Sequence, residues 1–343
     1  MTQAASKALS ILVINVTRIG DTLLTTPSLR AIAGTGATLT FLGHPKRAEV
    51  IRHLPYVTRV GAITKKWAPW LGRFSTFSGK QYDLAFVYGF DAALVAYALR
   101  VARRVVAFRQ KNEALNRRLH RIVEVAAPMS IHAVDLLLAL PAATEMPALG
   151  RHLDYAVTSD ETKWAQTQLA QAVPADCQAL IGLQVASFPT KAYRDWPLEH
   201  FMALTERIRA HYPQAHFLIF GGSEEQERTR ALADTLGNAA TCYAGRLTLR
   251  QTAALMNELD LYVGVDTGPT HIMGALHRPM VALYHGYSPS RLLAPLDHPC
   301  AYLVDHPLAD QGATPETPMA DISVDTVWHA VERALAEYPP KVR

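Results

Sequence analysis

The sequence predicts two parallel α/β sheets, one in each half of the chain. Three observations carry this. At 343 residues the chain exceeds one typical domain and suggests two. Short, continuously apolar runs alternate with helical patterns from end to end, as in strands covered on both faces and joined by crossover helices. The alternation starts afresh near residue 180, after a helical stretch and the break at Val173-Pro174.

The elements follow in order. Strands are expected at Ser10–Val16, Thr38–Leu42, Leu84–Tyr88 and Arg104–Phe108 in the first half. In the second half they fall at Leu180–Val185, His216–Phe220, Ala239–Tyr243, Leu261–Val265 and Met280–Leu283. Helical patterns lie between them, for example Leu24–Ala33, Ala92–Ala102, Glu199–His211 and Glu224–Leu236. A helix at Thr158–Ala172 falls within a linker placed near residues 155–178. The proline-bearing segment Leu308–Met319 reads as a loop, and a last amphipathic helix runs from Val324 to about Tyr338. Neither half carries GxGxxG after its first strand, and no GxxxxGK[ST] occurs. Those absences weigh against a dinucleotide-binding dehydrogenase and a P-loop kinase.

Composition narrows the class further. With 49% hydrophobic and 19% charged residues, each half can bury a core. No apolar run approaches the ~20 residues of a membrane span. The N-terminus lacks the long apolar stretch of a secretory signal, so a cytoplasmic protein is expected. Cys177, Cys242 and Cys300 are far apart and odd in number, which suits reduced thiols better than a disulfide framework or zinc site. The net charge of +4 hides an asymmetry: residues 1–150 hold 19 Lys and Arg against 8 Asp and Glu, and the remainder 15 against 22. A basic N-terminal half suggests an anionic partner there: nucleic acid, membrane surface or phosphorylated substrate. The densest basic run, Arg100 to Arg121, also fits a solvated face and lacks the interleaved aromatics of a single-strand binder.

The most telling stretch is LDLYVGVDTGPTHIMGALH, residues 259–277. A buried strand runs straight into a helix at Asp266-Thr267-Gly268-Pro269-Thr270-His271. Asp or Thr can cap that helix, Gly268 lets backbone approach a ligand, and Pro269 suits the first turn. Unpaired N–H groups and the positive end of the helix dipole then face out of the carboxyl edge of a sheet, as a phosphate requires. An ordinary strand-to-helix turn has the same look. After the first strand comes a second such joint, Thr17-Arg18-Ile19-Gly20-Asp21-Thr22. Asp21 there is either a helix-start carboxylate or a general base.

Taken together, the two joints resemble glycosyltransferase family 9, the ADP-heptose:lipopolysaccharide heptosyltransferases. RIGDTLLTTPSLRAI is similar to that family's N-terminal signature and VGVDTGPTHIMGALHRPMVALY to its C-terminal one. YDLAFVYG at 82–89 and ASFPTKAYRDWP at 186–197 stand in the expected places between them. The resemblance implies a GT-B architecture, two Rossmann-like parallel-sheet domains facing across a cleft. Residues 1–160 would take the acceptor and 175–322 the nucleotide-sugar, with the helix at 324–340 packing back on the first domain. It implies an inverting transfer with no metal and no cofactor beyond the donor, ADP-L-glycero-D-manno-heptose. No DxD motif occurs in the chain, in keeping with a metal-independent site. The implied acceptor is an anionic lipid-linked core oligosaccharide, met by a cytoplasmic enzyme in peripheral contact with the inner membrane. Nucleic acid drops out as a partner.

By the same resemblance Asp21 is the catalytic base, and Asp266, Thr267, Gly268 and His271 line the donor site. A cation should meet the diphosphate. Lys191 and Arg194 both qualify, because two residues are inserted before Trp196-Pro197, and Lys191 is slightly favoured. Ser187 is a hydroxyl donor beside them. Glu224, or else Glu225, should hold the ribose hydroxyls. Arg18, Arg104 and Arg109 are the acceptor-side cations. The insertion, and Tyr284-His285-Gly286 where relatives have Phe-Gly-Pro, mark a divergent subgroup. They leave open another nucleotide-sugar or acceptor, and behind that a nucleotide-sugar-binding protein without turnover.

Overall fold

The structure, a computed structural model, describes residues 8–75, 79–125 and 130–342. They form two compact units, Met1–Ala156 and Val157–Arg343.

The first unit holds β1 (Ser10–Asn15), α1 (Ile19–Leu23), α2 (Thr26–Ala33), β2 (Thr38–Gly43), β3 (Arg59–Ala62) and α3 (Ala68–Ser75). It continues with β4 (Tyr82–Tyr88), α4 (Ala92–Val101), β5 (Ala102–Phe108), α5 (Glu113–Asn116), β6 (Arg121–Val123) and α6 (Ala133–Ala142). Its six strands are all parallel, in the order β3-β2-β1-β4-β5-β6. Ile11, Leu12, Val13 and Ile14 are fully buried, so β1 is covered on both faces and shows no polar alternation.

The second unit holds α7 (Ser159–Ala172), β7 (Ala179–Gln184), α8 (Leu198–His211), β8 (Ala215–Phe220), α9 (Gln226–Leu236), β9 (Ala240–Cys242) and α10 (Leu249–Met256). After these come β10 (Leu261–Val265), α11 (Gly268–Leu276), β11 (Met280–Tyr284), α12 (Ser290–Leu293), β12 (Ala301–Asp305) and α13 (Val324–Glu337). Its parallel strands run β12-β11-β10-β7-β8-β9, the same winding as the first sheet. The strand order reverses between β1 and β4 in one sheet and between β7 and β10 in the other. Ligands of such sheets sit beyond the carboxyl ends of the strands at that point.

The fold is thus the expected one, and the differences fall at its margins. The strands not foreseen, β3, β6 and β12, are all edge strands. None of the four β3 residues and only one of the three β6 residues is buried, so their apolar signal is weak. The divide falls at 156/157, and the helix assigned to a linker belongs to the second unit. Leu149–Asp154 is tied to α2: Arg30 pairs with Asp154 and donates to Leu149 O at 2.8 Å, and Asp154 N donates to Thr26 Oγ1 at 3.0 Å. The helix α7 is tied instead to α10 by Arg250, whose Nε and Nη2 lie 2.7 and 2.5 Å from the two Glu161 oxygens.

The terminal helix belongs to the second unit. Val327, Trp328, Val331, Ala334 and Leu335 form one buried stripe of α13, in the same core as Leu204, Ile208, Leu283 and Val304 of the second unit. An amphipathic pattern states that a helix has a buried face, not which sheet will cover it.

The Glu161–Arg250 pair carries a pH signature. Burial raises the Glu161 pKa, but the Arg250 fork and the Thr158 backbone N–H outweigh it and hold the carboxyl at about 2, against an ordinary 4.5. A depressed acid stabilises fully above its unfolded value and loses that contribution as pH falls through its folded one. Glu161→Gln should therefore cost about 2 kcal/mol at pH 7. The gap from wild type should shrink between pH 4.5 and 2 in urea melts of the two proteins. A gap that stays constant down to pH 2.5 would show that the ionisation of Glu161 contributes nothing to it.

Candidate functional site

In the second unit the strand order reverses between β7 and β10, and the segments leaving these strands are the two that sequence motifs single out. β10 ends in Gly264-Val265, and Asp266 N still donates to Leu283 O of β11 at 3.1 Å. The chain then turns into α11 with Thr267 at the N-cap in an extended conformation (φ −144°, ψ 178°). The Thr267 side chain makes no capping bond, so the first turn is left without an internal side-chain acceptor. Thr270, by contrast, is spent on the fold. Its hydroxyl reaches Val265 O and lies 2.9 Å from the Tyr262 phenol, which fixes α11 against β10. Gly264 leaves room for that phenol, because a Cβ there would meet the Tyr262 oxygen at 2.5 Å.

Asp266 does not cap the helix. Its carboxylate is buried, with Oδ2 2.7 Å from Arg194 Nη1 and Oδ1 3.4 Å from His271 Nε2; Arg194 Nη1 also reaches Asp266 O at 3.2 Å. Burial alone would raise the Asp266 pKa. The His271 hydrogen bond and the Arg194 charge outweigh it and hold the carboxyl below its ordinary value. Asp266, Arg194 and His271 are therefore brought together as one ionic cluster behind the α11 N-terminus.

The segment after β7 is folded by its own side chains. Ser187 Oγ lies 2.6 Å from Asp195 Oδ1 and 2.7 Å from Lys191 O, and Ser187 N donates to Asp195 Oδ1 at 2.7 Å. The hydroxyl proton is thus committed within the loop. Arg228 of α9 adds a staple, with Nε 2.9 Å from Val185 O and Nη2 on Trp196 O. The Lys191 side chain stands apart from these bonds. Among the described residues its ammonium makes no ion pair, and its one recorded partner is the Tyr193 ring, 5.4 Å from the centroid. The two cations that sequence could not separate thus differ in kind: Arg194 is compensated by Asp266, and Lys191 is not.

At the carboxyl end of β8, Glu225 turns back to accept from Gly222 N, and burial raises its pKa. Glu224 beside it is exposed.

In the first unit, Asp21 follows β1 at the corresponding reversal of strand order. Its carboxylate is exposed and takes part in no hydrogen bond or ion pair among the described residues. The backbone around it is fixed from below. Buried Asn15 donates to Thr25 Oγ1 at 2.5 Å and to Asp21 O at 3.3 Å, and it accepts from Thr17 Oγ1 at 2.5 Å. Asn15 is not among the expected site residues; its signal in the sequence is the single amide that closes the apolar run SILVIN. Arg18, one turn earlier, is exposed. The other two acceptor-side cations differ in setting. Arg109 is occupied by Glu124 at 2.7 Å and Glu113 at 3.1 Å. Arg104 is the third residue of β5, away from that strand's carboxyl end.

Among the described residues no group of three or more His, Cys, Asp or Glu could hold a metal ion, and no helix is long and apolar enough to cross a membrane.

Residues 74–314 match the profile of glycosyltransferase family 9 (heptosyltransferase). The lipopolysaccharide core heptosyltransferase OpsX of Haemophilus influenzae is 23% identical over 240 residues, 69% of this chain and 65% of that protein's own length. Among solved structures, the family 9 glycosyl transferase of Veillonella parvula superposes with a TM-score of 0.81 at 19% identity, over 96% of this chain and 97% of the other. The E. coli ADP-heptose lps heptosyltransferase II does so with a TM-score of 0.78 at 18% identity, over 96% and 99%.

Proposed function

We propose that this chain, which belongs to glycosyltransferase family 9, moves heptose from ADP-L-glycero-D-manno-heptose onto a lipopolysaccharide inner-core acceptor, with inversion and without a metal or other cofactor. One observation carries the donor side. The uncompensated Lys191 and the uncapped first turn of α11 belong to neighbouring carboxyl-edge segments, linked by the Arg194–Asp266 ion pair. A departing diphosphate gathers negative charge, and fixed dipoles with a free cation stabilise it as it forms. In this reading Lys191 meets the diphosphate, and Gly268 and Thr267 offer backbone to it. Arg194, Asp266 and His271 hold that backbone in place, and Glu224 takes the ribose hydroxyls. Asp21 accepts the proton of the acceptor hydroxyl as its oxygen attacks the anomeric carbon. The ADP identity and the core acceptor are supported by the names of the E. coli and H. influenzae relatives.

The surplus of Lys and Arg in residues 1–150 supports an anionic, lipid-linked acceptor and peripheral contact with the inner membrane from the cytoplasmic side. A second reading keeps fold and reaction but changes the sugar. It is favoured by the aromatic group formed by Tyr193, His285 and Tyr287 where this chain departs from the family pattern.

A thermal-shift panel of ADP-, UDP-, GDP- and CMP-sugars tests the donor. ADP-heptose at 100 times its Kd should stabilise by about 2.7 kcal/mol. A response to UDP-sugars alone would remove the ADP-heptose assignment and leave the fold untouched.

A further inference from the structure

Two aromatic segments stand out in the second unit: Tyr193 before Trp196, and Tyr284-His285-Gly286-Tyr287 at the end of β11. They lie about 90 residues apart in the chain, and in the fold they touch. The Tyr193 ring packs edge-on against His285 at 5.1 Å and against Tyr287 at 6.2 Å between centroids. Two cations approach the same ring, Lys191 Nζ at 5.4 Å and the Arg194 guanidinium carbon at 5.5 Å. Arg194 Nε lies 3.3 Å from the Tyr193 phenolic oxygen.

His285 is a rigid support for this group. Its Nδ1 accepts from Tyr287 N at 3.0 Å, so Nε2 carries the proton and donates to Thr317 O at 2.7 Å. Burial lowers its pKa, and the nearby His306 and Arg194 add to that against the Thr317 bond, so it stays neutral beside the two cations.

We propose that Tyr193 is a positioning residue of the donor site: its ring holds the Lys191 ammonium in place for the diphosphate without neutralising it. A carboxylate in that position would order the ammonium equally well but cancel its charge, as Asp266 does for Arg194. A π face attracts a cation through its quadrupole and leaves the charge and N–H donors available to an incoming anion. The inference rests on the donor-site reading given above. It adds that the segments after β7 and β11 form one device, the first supplying the ring and the second its backing.

The test is a double-mutant cycle on ADP binding by titration calorimetry, using wild type, Tyr193→Phe, Tyr193→Leu, Lys191→Ala and the Tyr193→Leu/Lys191→Ala double variant. Tyr193→Leu should weaken ADP on the order of tenfold, the weight of a desolvated cation–π contact. Tyr193→Phe, which keeps the ring, should stay within about threefold of wild type on the same scale. In the Lys191→Ala background, Tyr193→Leu should cost less than about twofold, because coupled residues are not additive. AMP, with a single phosphate, should show no comparable loss. Additive effects in the cycle, or equal losses for ADP and AMP, would overturn the positioning role, and any general loosening of the loop cancels within the cycle. A wild type that binds no ADP is a separate result. It sinks the donor reading, and the same cycle then runs on whichever of UDP, GDP or CDP the wild type binds.

Discussion

Asp21→Asn should lower the turnover of heptose transfer by about 10²–10⁴-fold, the range a positioned general base supplies. The donor KM should move by less than about threefold, because an interaction made only in the transition state lowers kcat without touching ground-state binding. The substitution is isosteric and the side chain is exposed and unbonded, so the melting temperature should not change. The turn that carries it is held by Asn15 and Thr25 through backbone and neighbouring side chains, not through the Asp21 carboxylate. Steady-state kinetics with ADP-heptose and a core acceptor presented in anionic vesicles checks all three. Retention of more than about a tenth of wild-type turnover would remove Asp21 from the base's role.

Asp266→Ala should be the most damaging single change in the second unit. It leaves Arg194 and His271 facing a vacated carboxylate position, and breaking a buried pair from one side typically costs about 3–5 kcal/mol. The lower end applies, since the Arg194 side chain keeps 18% exposure and gains some hydration. About 3 kcal/mol in a unit of this size corresponds to a fall of roughly 6–12 °C in its melting temperature. Nucleotide affinity should fall with it, because the carboxylate fixes the start of α11. Adding Arg194→Met should recover part of the lost stability, since the stranded cation is then gone, but none of the affinity. If the double variant melts no higher than Asp266→Ala, the penalty is not the unpaired charge. Calorimetric melts of the three proteins decide this.

The Asp266 cluster also shows where sequence reading stops. The order Gly-Val-Asp-Thr-Gly-Pro-Thr announced a strand, a turn and a helix start, and each stands where it was read. Such features are local: the apolar run, the glycine and the proline act on their own neighbourhood. The partner of Asp266 was not legible, because Arg194 lies 72 residues away and the two-residue insertion had blurred which cation holds the family's place. The partners of Ser187 and Arg109 were not legible for a related reason. A hydroxyl or guanidinium announces that it will bond, and only the packed chain says whether its partner is a ligand or, as here, Asp195 and Glu124. The edge strands β3, β6 and β12 escaped because an edge needs little apolar surface.

By itself, then, the sequence determined two doubly wound sheets, the two strand-to-helix joints at their carboxyl edges, and the family, because all of these are written in short-range patterns. The tertiary structure decided the rest: that α7 and α13 belong to the second unit, that Asp266 compensates Arg194, and that Lys191 rests on the Tyr193 ring. Those outcomes depend on which distant residues meet once apolar faces are buried, and no spacing along the chain encodes such a meeting.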